Sequence, residues 1–167
     1  IGLGVAFADD LVCLIAGHDL GSLVLCMQKK VNSAIKWSIT NGLQLSDEKT
    51  EYCVFQKTGT PSPSSKHTLT MIGSPIKQVK CVKYLGITFT HNLNWNLHVS
   101  EKLAKTKRRM MMLKTSSGVL WGPKPSLIHW MIQAMCLPIL TYGALIWGNA
   151  KLSRATVSKL DKLNRLL

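Results

Sequence analysis

Apolar positions near the start of the chain come in two short runs, residues 3–7 and 11–15, on either side of Ala8-Asp9-Asp10. Such runs around a short polar stretch predict a β-hairpin with the acids at its turn, and Gly17 ends the second strand. The period then changes. Leu20, Leu23, Met27, Val31, Ala34 and either Ile35 or Trp37 recur every three to four residues, with Lys29, Lys30 and Lys36 mostly off that stripe. This predicts an amphipathic helix over 20–41, stopped at Asn41-Gly42, where glycine accepts the left-handed conformation. Residues 43–45 and 51–55 read as strands about the polar turn Ser46-Asp47-Glu48-Lys49. Residues 58–65 read as a Pro/Ser-rich surface loop. Segments 68–72, 76–82 and 84–89 read as further strands, with Gly73-Ser74-Pro75 as a turn.

After Asn92 the pattern is helical. Val99, Leu103, Thr106, Met110 and Leu113 form one stripe, and His98, Lys102, Lys105 and Arg109 share the opposite side. A second helix is expected over 126–147 with a kink at Pro138, and a third from Arg154 with Val157, Leu160, Leu163 and Leu167. The expected fold class is α+β: antiparallel strands with a covering helix over 1–90, followed by an all-α, basic bundle over 91–167. No internal repeat is visible.

Charge sharpens this division. Residues 1–75 carry six basic and six acidic side chains, whereas 76–167 carry fifteen bases and two acids, Glu101 and Asp161, which accounts for the whole net charge of +13. A neutral half joined to a strongly basic half points to a polyanionic partner for the second half, with nucleic acid ahead of an anionic membrane surface. The basic helix face can equally be a solvated one. Residues 125–150 contain no Lys, Arg, Asp or Glu, but polar residues and Pro138 interrupt the run, so a buried helix is expected rather than a membrane span. The five cysteines are widely spaced with no C-x-x-C pair, which argues against a disulfide framework or a zinc site. No secretory leader is expected from 1–16, and an intracellular location, nuclear and cytoplasmic, follows.

Paired aspartates at a hairpin turn suit divalent-metal chemistry, because magnesium prefers carboxylate and phosphate oxygens. An acidic turn can also be simply solvated. The wider context bears on the choice. Phe7-Ala8-Asp9-Asp10, the helix ending Trp37-Ser38-Ile39-Thr40-Asn41-Gly42-Leu43, Leu45 with Lys49-Thr50-Glu51, Val82-Lys83-Tyr84-Leu85-Gly86-Ile87-Thr88-Phe89, Leu93-Asn94-Trp95 with His98, and Pro138–Ala144 with Ile146-Trp147-Gly148 follow one another along nearly the whole chain. In that order they resemble the reverse transcriptases of non-LTR (LINE-type) retrotransposons, from the active-site end of the palm through the thumb.

The resemblance implies an RNA-directed DNA polymerase that transfers deoxynucleotides to a primer 3′-hydroxyl with two magnesium ions. Its partners would be an RNA template, a DNA primer, deoxynucleoside triphosphates and the upstream palm and fingers of the same polypeptide, with no membrane. Asp9 would be a metal ligand and Asp10 would support it. Phe7 and Ala8 would lie near the incoming nucleotide. Lys49 would protonate the pyrophosphate leaving group, although a solvated turn lysine is an equal reading. Tyr84, Leu85 and Gly86 would form the primer-grip turn, and His98, Lys102, Lys105 and Arg109 would track template–primer phosphates. Gly86 can instead mark only a bulge. The five tryptophans are expected mostly as core anchors. The family's palm uses a further aspartate on an earlier strand, so the 167 residues alone are expected to be inactive. The alternative is a non-catalytic nucleic-acid-binding module or a decayed relic of such an element.

Overall fold

The structure is a computed structural model describing residues 2–56, 68–115 and 121–165. The chain forms two compact units, Ile1–Lys80 and Cys81–Leu167. Four two-stranded sheets and six helical segments are present among the described residues, so the fold is mixed α and β.

The first unit opens with the expected antiparallel hairpin, β1 (Gly2–Phe7) and β2 (Asp10–Ile15), closed by the pair Phe7 and Asp10. Helix α1 (Leu20–Thr40) follows. The Asp19 carboxylate accepts the Ser22 amide at 2.7 Å, which satisfies one of the N–H groups that a helix leaves free at its start. At the other end Gly42 takes φ 67°, and the amides of Gly42 and Leu43 return to the carbonyls of Ile39 and Ser38 at 3.1 and 2.8 Å. This is a Schellman closure. It consumes the Leu43 amide, and residues 43–45 are accordingly not the strand the apolar pattern predicts.

Strand β3 (Glu51–Tyr52) is shorter than the run at 51–55 and pairs in parallel with β6 (Lys77–Gln78), supported by a 3.5 Å Lys77–Glu51 ion pair. Strand β4 (Thr70–Met71) pairs with β5 (Ser74–Pro75) about a turn at Ile72-Gly73, so Ser74 and Pro75 belong to a strand rather than to the turn. The Pro/Ser-rich loop at 58–65 lies outside the described residues. Leu69, Met71 and Ile76 form the core of this unit against Val24, Met27, Val31 and Ile35 of α1. Gln28 on the same helix acts as a substitute strand neighbour, accepting the Thr70 amide at 2.9 Å and donating to its carbonyl at 2.8 Å.

The second unit begins with the hairpin β7 (Cys81–Tyr84) and β8 (Ile87–Thr90), split by a turn at Leu85-Gly86 inside what reads as one run at 84–89. Helix α2 (Asn96–Thr115) follows, its amide at Asn96 received by the Asn94 side chain at 2.9 Å. The apolar run after it is not one kinked helix but three segments: α3 (Pro125–Met135), α4 (Leu137–Thr141) and α5 (Ala144–Trp147). The second break comes at Gly143, with φ 69°, where an added Cβ would lie 2.9 Å from the Ile87 side chain. Close packing against the hairpin therefore demands glycine here, and its left-handed backbone ends the helix. Helix α6 (Arg154–Asn164) is capped by Ser153, whose own amide donates to Asn96 at the start of α2. Val99, Leu103, Trp147 and Leu163 form the core, with Met110, Leu140 and Leu160 packed on it. The apolar stripe read for α2 thus faces inward. No helix among the described residues is long and apolar enough to cross a membrane.

Candidate functional site

The acidic turn is a two-residue connection, Ala8-Asp9, between β1 and β2. Ala8 has φ 49°, and Asp9 does not share the positive sign; a positive φ in a two-residue hairpin turn normally belongs to glycine or asparagine. An alanine there is strained, and such strain gathers at sites where geometry matters. The turn leaves Phe7, Ala8, Asp9 and Asp10 all exposed, Phe7 at 61%. Neither carboxylate is in an ion pair among the described residues, so both are open to a ligand. Lys49 is exposed on a turn closed by hydrogen bonds from Thr50 to the Ser46 carbonyl. Among the described residues no hydrogen bond or ion pair joins Lys49 to either aspartate.

The second site is built on the β7–β8 turn. Leu85 and Gly86 take φ 46° and 75°, the signs of a type I′ hairpin turn. Both carbonyls of this pair, of which Leu85 is strained, are held from the helices. The Tyr142 hydroxyl donates to Leu85 at 2.7 Å, and the Lys102 ammonium donates to Gly86 at 3.2 Å while lying 4.4 Å above the Tyr142 ring. An added Cβ at Gly86 would be 3.2 Å from that ring, so close approach, not a bulge, accounts for this glycine. Tyr84 pairs with Ile87 to close the hairpin.

The four basic-face residues of α2 separate. His98 is fully buried, which corrects its expected place on a phosphate-tracking surface. Its Nδ1 accepts the Thr88 amide at 3.1 Å, and the neighbouring Glu101 takes the Thr88 hydroxyl at 2.7 Å. The hairpin covers the first turns of α2 on the side where His98 and Lys102 lie. Lys105, further along, is exposed, and Arg109 is half-buried. Burial pushes the His98 imidazole below its ordinary pKa, and the charges of Lys102 and Lys83 add to this against Glu101 and the Tyr142 carbonyl. Burial likewise pushes Lys102 below the usual lysine value, helped by Lys105 and Lys83 and opposed by Glu101. Burial raises the Cys136 thiol, while the charge of Arg109 works against it.

Tyr142, Thr88 and Glu101 hold the turn and the first turns of α2 together, and pattern reading gave them no such part. Glu101 had a signal, being one of two acids in a basic half. The partners of Tyr142 and Thr88 are set only by the tertiary fold. Of the tryptophans, Trp95 and Trp147 flank His98, whereas Trp37, Trp121 and Trp130 are more than half exposed. Most are therefore not core anchors.

With this geometry, the chain aligns over 92% of its length, at 24% identity, with a Retrovirus-related Pol polyprotein from type-1 retrotransposable element R1 of Nasonia vitripennis. A second Nasonia Pol polyprotein of an R1 element is 27% identical over 85% of the chain. Its homologues are R1 non-LTR retrotransposon proteins. The LINE-type resemblance of the ordered motifs is thereby borne out. A protein of the R1DM element of Drosophila melanogaster is also similar, 22% identical over 97% of the chain. The chain spans 43%, 35% and 16% of these three R1-type proteins. No family model and no solved structure matches it.

The acidic turn suits magnesium in donor chemistry, since it exposes two carboxylates on consecutive residues. It is only part of a donor set: among the described residues no cluster of three His, Cys, Asp or Glu side chains could hold a metal.

Proposed function

We propose that the chain is the end of the palm and the thumb of an R1-type, RNA-directed DNA polymerase, acting with other parts of a longer polypeptide. The observation that carries this reading is the strained hairpin tip that exposes Asp9 and Asp10, in a chain aligned along 92% of its length with a Pol polyprotein. Asp9 would hold magnesium with Asp10 in support, and the bound ions would activate the primer 3′-hydroxyl and stabilise the pyrophosphate. Phe7 and Ala8 would border the nucleotide, and Lys49 would serve as the proton donor to pyrophosphate.

The second unit carries thirteen bases and two acids. A net +11 surface supports template–primer binding through phosphates, without sequence readout. Within it, Lys105 and Arg109 are the contacts of the basic face, and Tyr84, Leu85 and Gly86 form the turn nearest the primer.

The test is Asp9→Asn in the full-length polyprotein, assayed for primer extension and for template binding. Extension should vanish while binding persists. Extension at the wild-type rate would remove Asp9 from this role.

A further inference from the structure

Beside the β7–β8 turn lies a groove of about 340 Å³, lined by Gly86, Lys102, Lys105, Pro138, Ile139 and Tyr142. Its charge is only partly offset, by Glu101. Lys102 and Lys105 repel each other and Lys83 adds to the field, yet among the described residues none of the three is in an ion pair. The acid beside them, Glu101, is engaged by the Thr88 hydroxyl. Lys102 uses one ammonium proton on the Gly86 carbonyl and retains others. The site therefore calls for an anion.

The rest of the lining is apolar, with the Lys102 ammonium resting on one face of the Tyr142 ring. Pro138, Ile139 and Tyr142 fall on one face of the α4 segment and its end, spaced by three and four residues. The Tyr142 hydroxyl is already committed to Leu85, so what this residue presents is its ring. A simple anion site has no use for such a wall, whereas a nucleotide unit pairs a phosphate with a flat apolar surface, and single-stranded nucleic acid is held by this combination. The groove's volume is that of a small-molecule site.

We propose that this groove takes one unpaired nucleotide of a nucleic-acid strand, with its phosphate between Lys102 and Lys105 and its base against Pro138, Ile139 and Tyr142. The assignment rests on the nucleic-acid reading of the second unit and narrows it to a single-stranded element at a defined place.

The experiment measures anisotropy of a fluorescein-labelled single-stranded hexanucleotide on the 167-residue chain, with Lys105→Ala, Ile139→Glu and Lys159→Ala, the last on α6 outside the groove. Lys105 is exposed, so Lys105→Ala should leave the fold intact. Lys105→Ala should weaken binding several-fold and lower the salt slope by about one. Ile139→Glu should weaken it by about tenfold or more, and Lys159→Ala should change it little. An oligonucleotide carrying 5-iodouracil should cross-link the wild-type chain in the peptide containing Tyr142, a readout independent of any variant's folding. Equal effects of Lys105→Ala and Lys159→Ala, with cross-links elsewhere, would overturn the groove while leaving general nucleic-acid binding in place. A blunt duplex bound as tightly, with the same loss in Lys105→Ala, would overturn the requirement for an unpaired unit. Displacement of the oligonucleotide by phosphatidylserine vesicles, themselves dependent on Lys105, would replace the nucleotide by a lipid headgroup. Absence of all nucleic-acid binding would remove both this assignment and the polymerase reading.

Discussion

The backbone amide of Thr88 donates a 3.1 Å hydrogen bond to Nδ1 of the fully buried His98. An acceptor at Nδ1 places the proton of the neutral ring on Nε2, which is buried and makes no hydrogen bond of ordinary geometry among the described residues, the Tyr142 carbonyl acting on the ring only weakly. Protonation at Nδ1 would abolish this bond between hairpin and helix. The groups whose charge reaches the ring are Lys102, Lys83 and Glu101.

Acid should therefore loosen the second unit. The folded pKa of His98 lies below the ordinary imidazole value of about 6.5, so between the two the unfolded chain binds more protons. The stability contribution is complete above about pH 6.5 and is lost as pH falls through the depressed folded value. Urea unfolding at a series of pH values, followed by tryptophan fluorescence, would show it, because Trp95 and Trp147 lie 6.3 and 6.2 Å from the ring. His98→Gln should be less stable at neutral pH and should lose that part of the slope. An unchanged slope in the variant would assign the pH dependence to other groups.

The β7–β8 turn makes a separate prediction. Gly86→Ala meets both a positive φ and the Tyr142 ring, and should destabilise by more than about 1 kcal/mol. Tyr142→Phe keeps the ring and removes the bond to Leu85, at a cost of about 0.5–1.5 kcal/mol. Leu85→Gly, which relieves φ 46°, should be near neutral. Chemical denaturation of the three variants gives the order directly, and a neutral Gly86→Ala would contradict the close approach.

At the acidic tip, Ala8→Gly should be tolerated in folding and in extension by the full-length polyprotein. Ala8→Val places a β-branched residue at φ 49° and should destabilise the hairpin by about 1–3 kcal/mol. Extension by Ala8→Val should fall more than template binding does. Loss of binding in equal measure would show a global rather than a local effect.

The 167-residue chain by itself should bind nucleic acid without extending a primer, since two carboxylates do not complete a two-metal site. Its affinity should fall steeply with salt, as phosphate contacts of a +11 unit require. Extension by this chain alone, or a flat salt response, would count against the proposed division of labour.

What could be read from sequence follows the range of the interactions. The β1–β2 hairpin, α1 with its Gly42 stop and the inward stripe of α2 rest on near neighbours, and simple periodicity finds them. Residues 43–45 failed because the Leu43 amide is drawn back to Ser38, which an apolar run does not reveal. The parallel pair β3–β6 and the helix break at Gly143 depend on distant partners, β6 and Ile87. His98 shares a helical face with Lys102, Lys105 and Arg109. Only the hairpin, covering the first turns of that face, separates a core histidine from surface cations. For the candidate site, the acids and bases were visible as residue types, while the tie from Tyr142 to the turn was not.

That tie spans fifty-seven positions of the chain. During synthesis the Leu85-Gly86 turn leaves the ribosome well before the residue that steadies it. Until α4 has followed, the strained turn has no hydroxyl on Leu85, and the geometry of an early segment waits on a late one. A nascent chain stalled before Tyr142 would carry α2 and an unsupported hairpin, and deletions at the end of this unit should disturb the turn first.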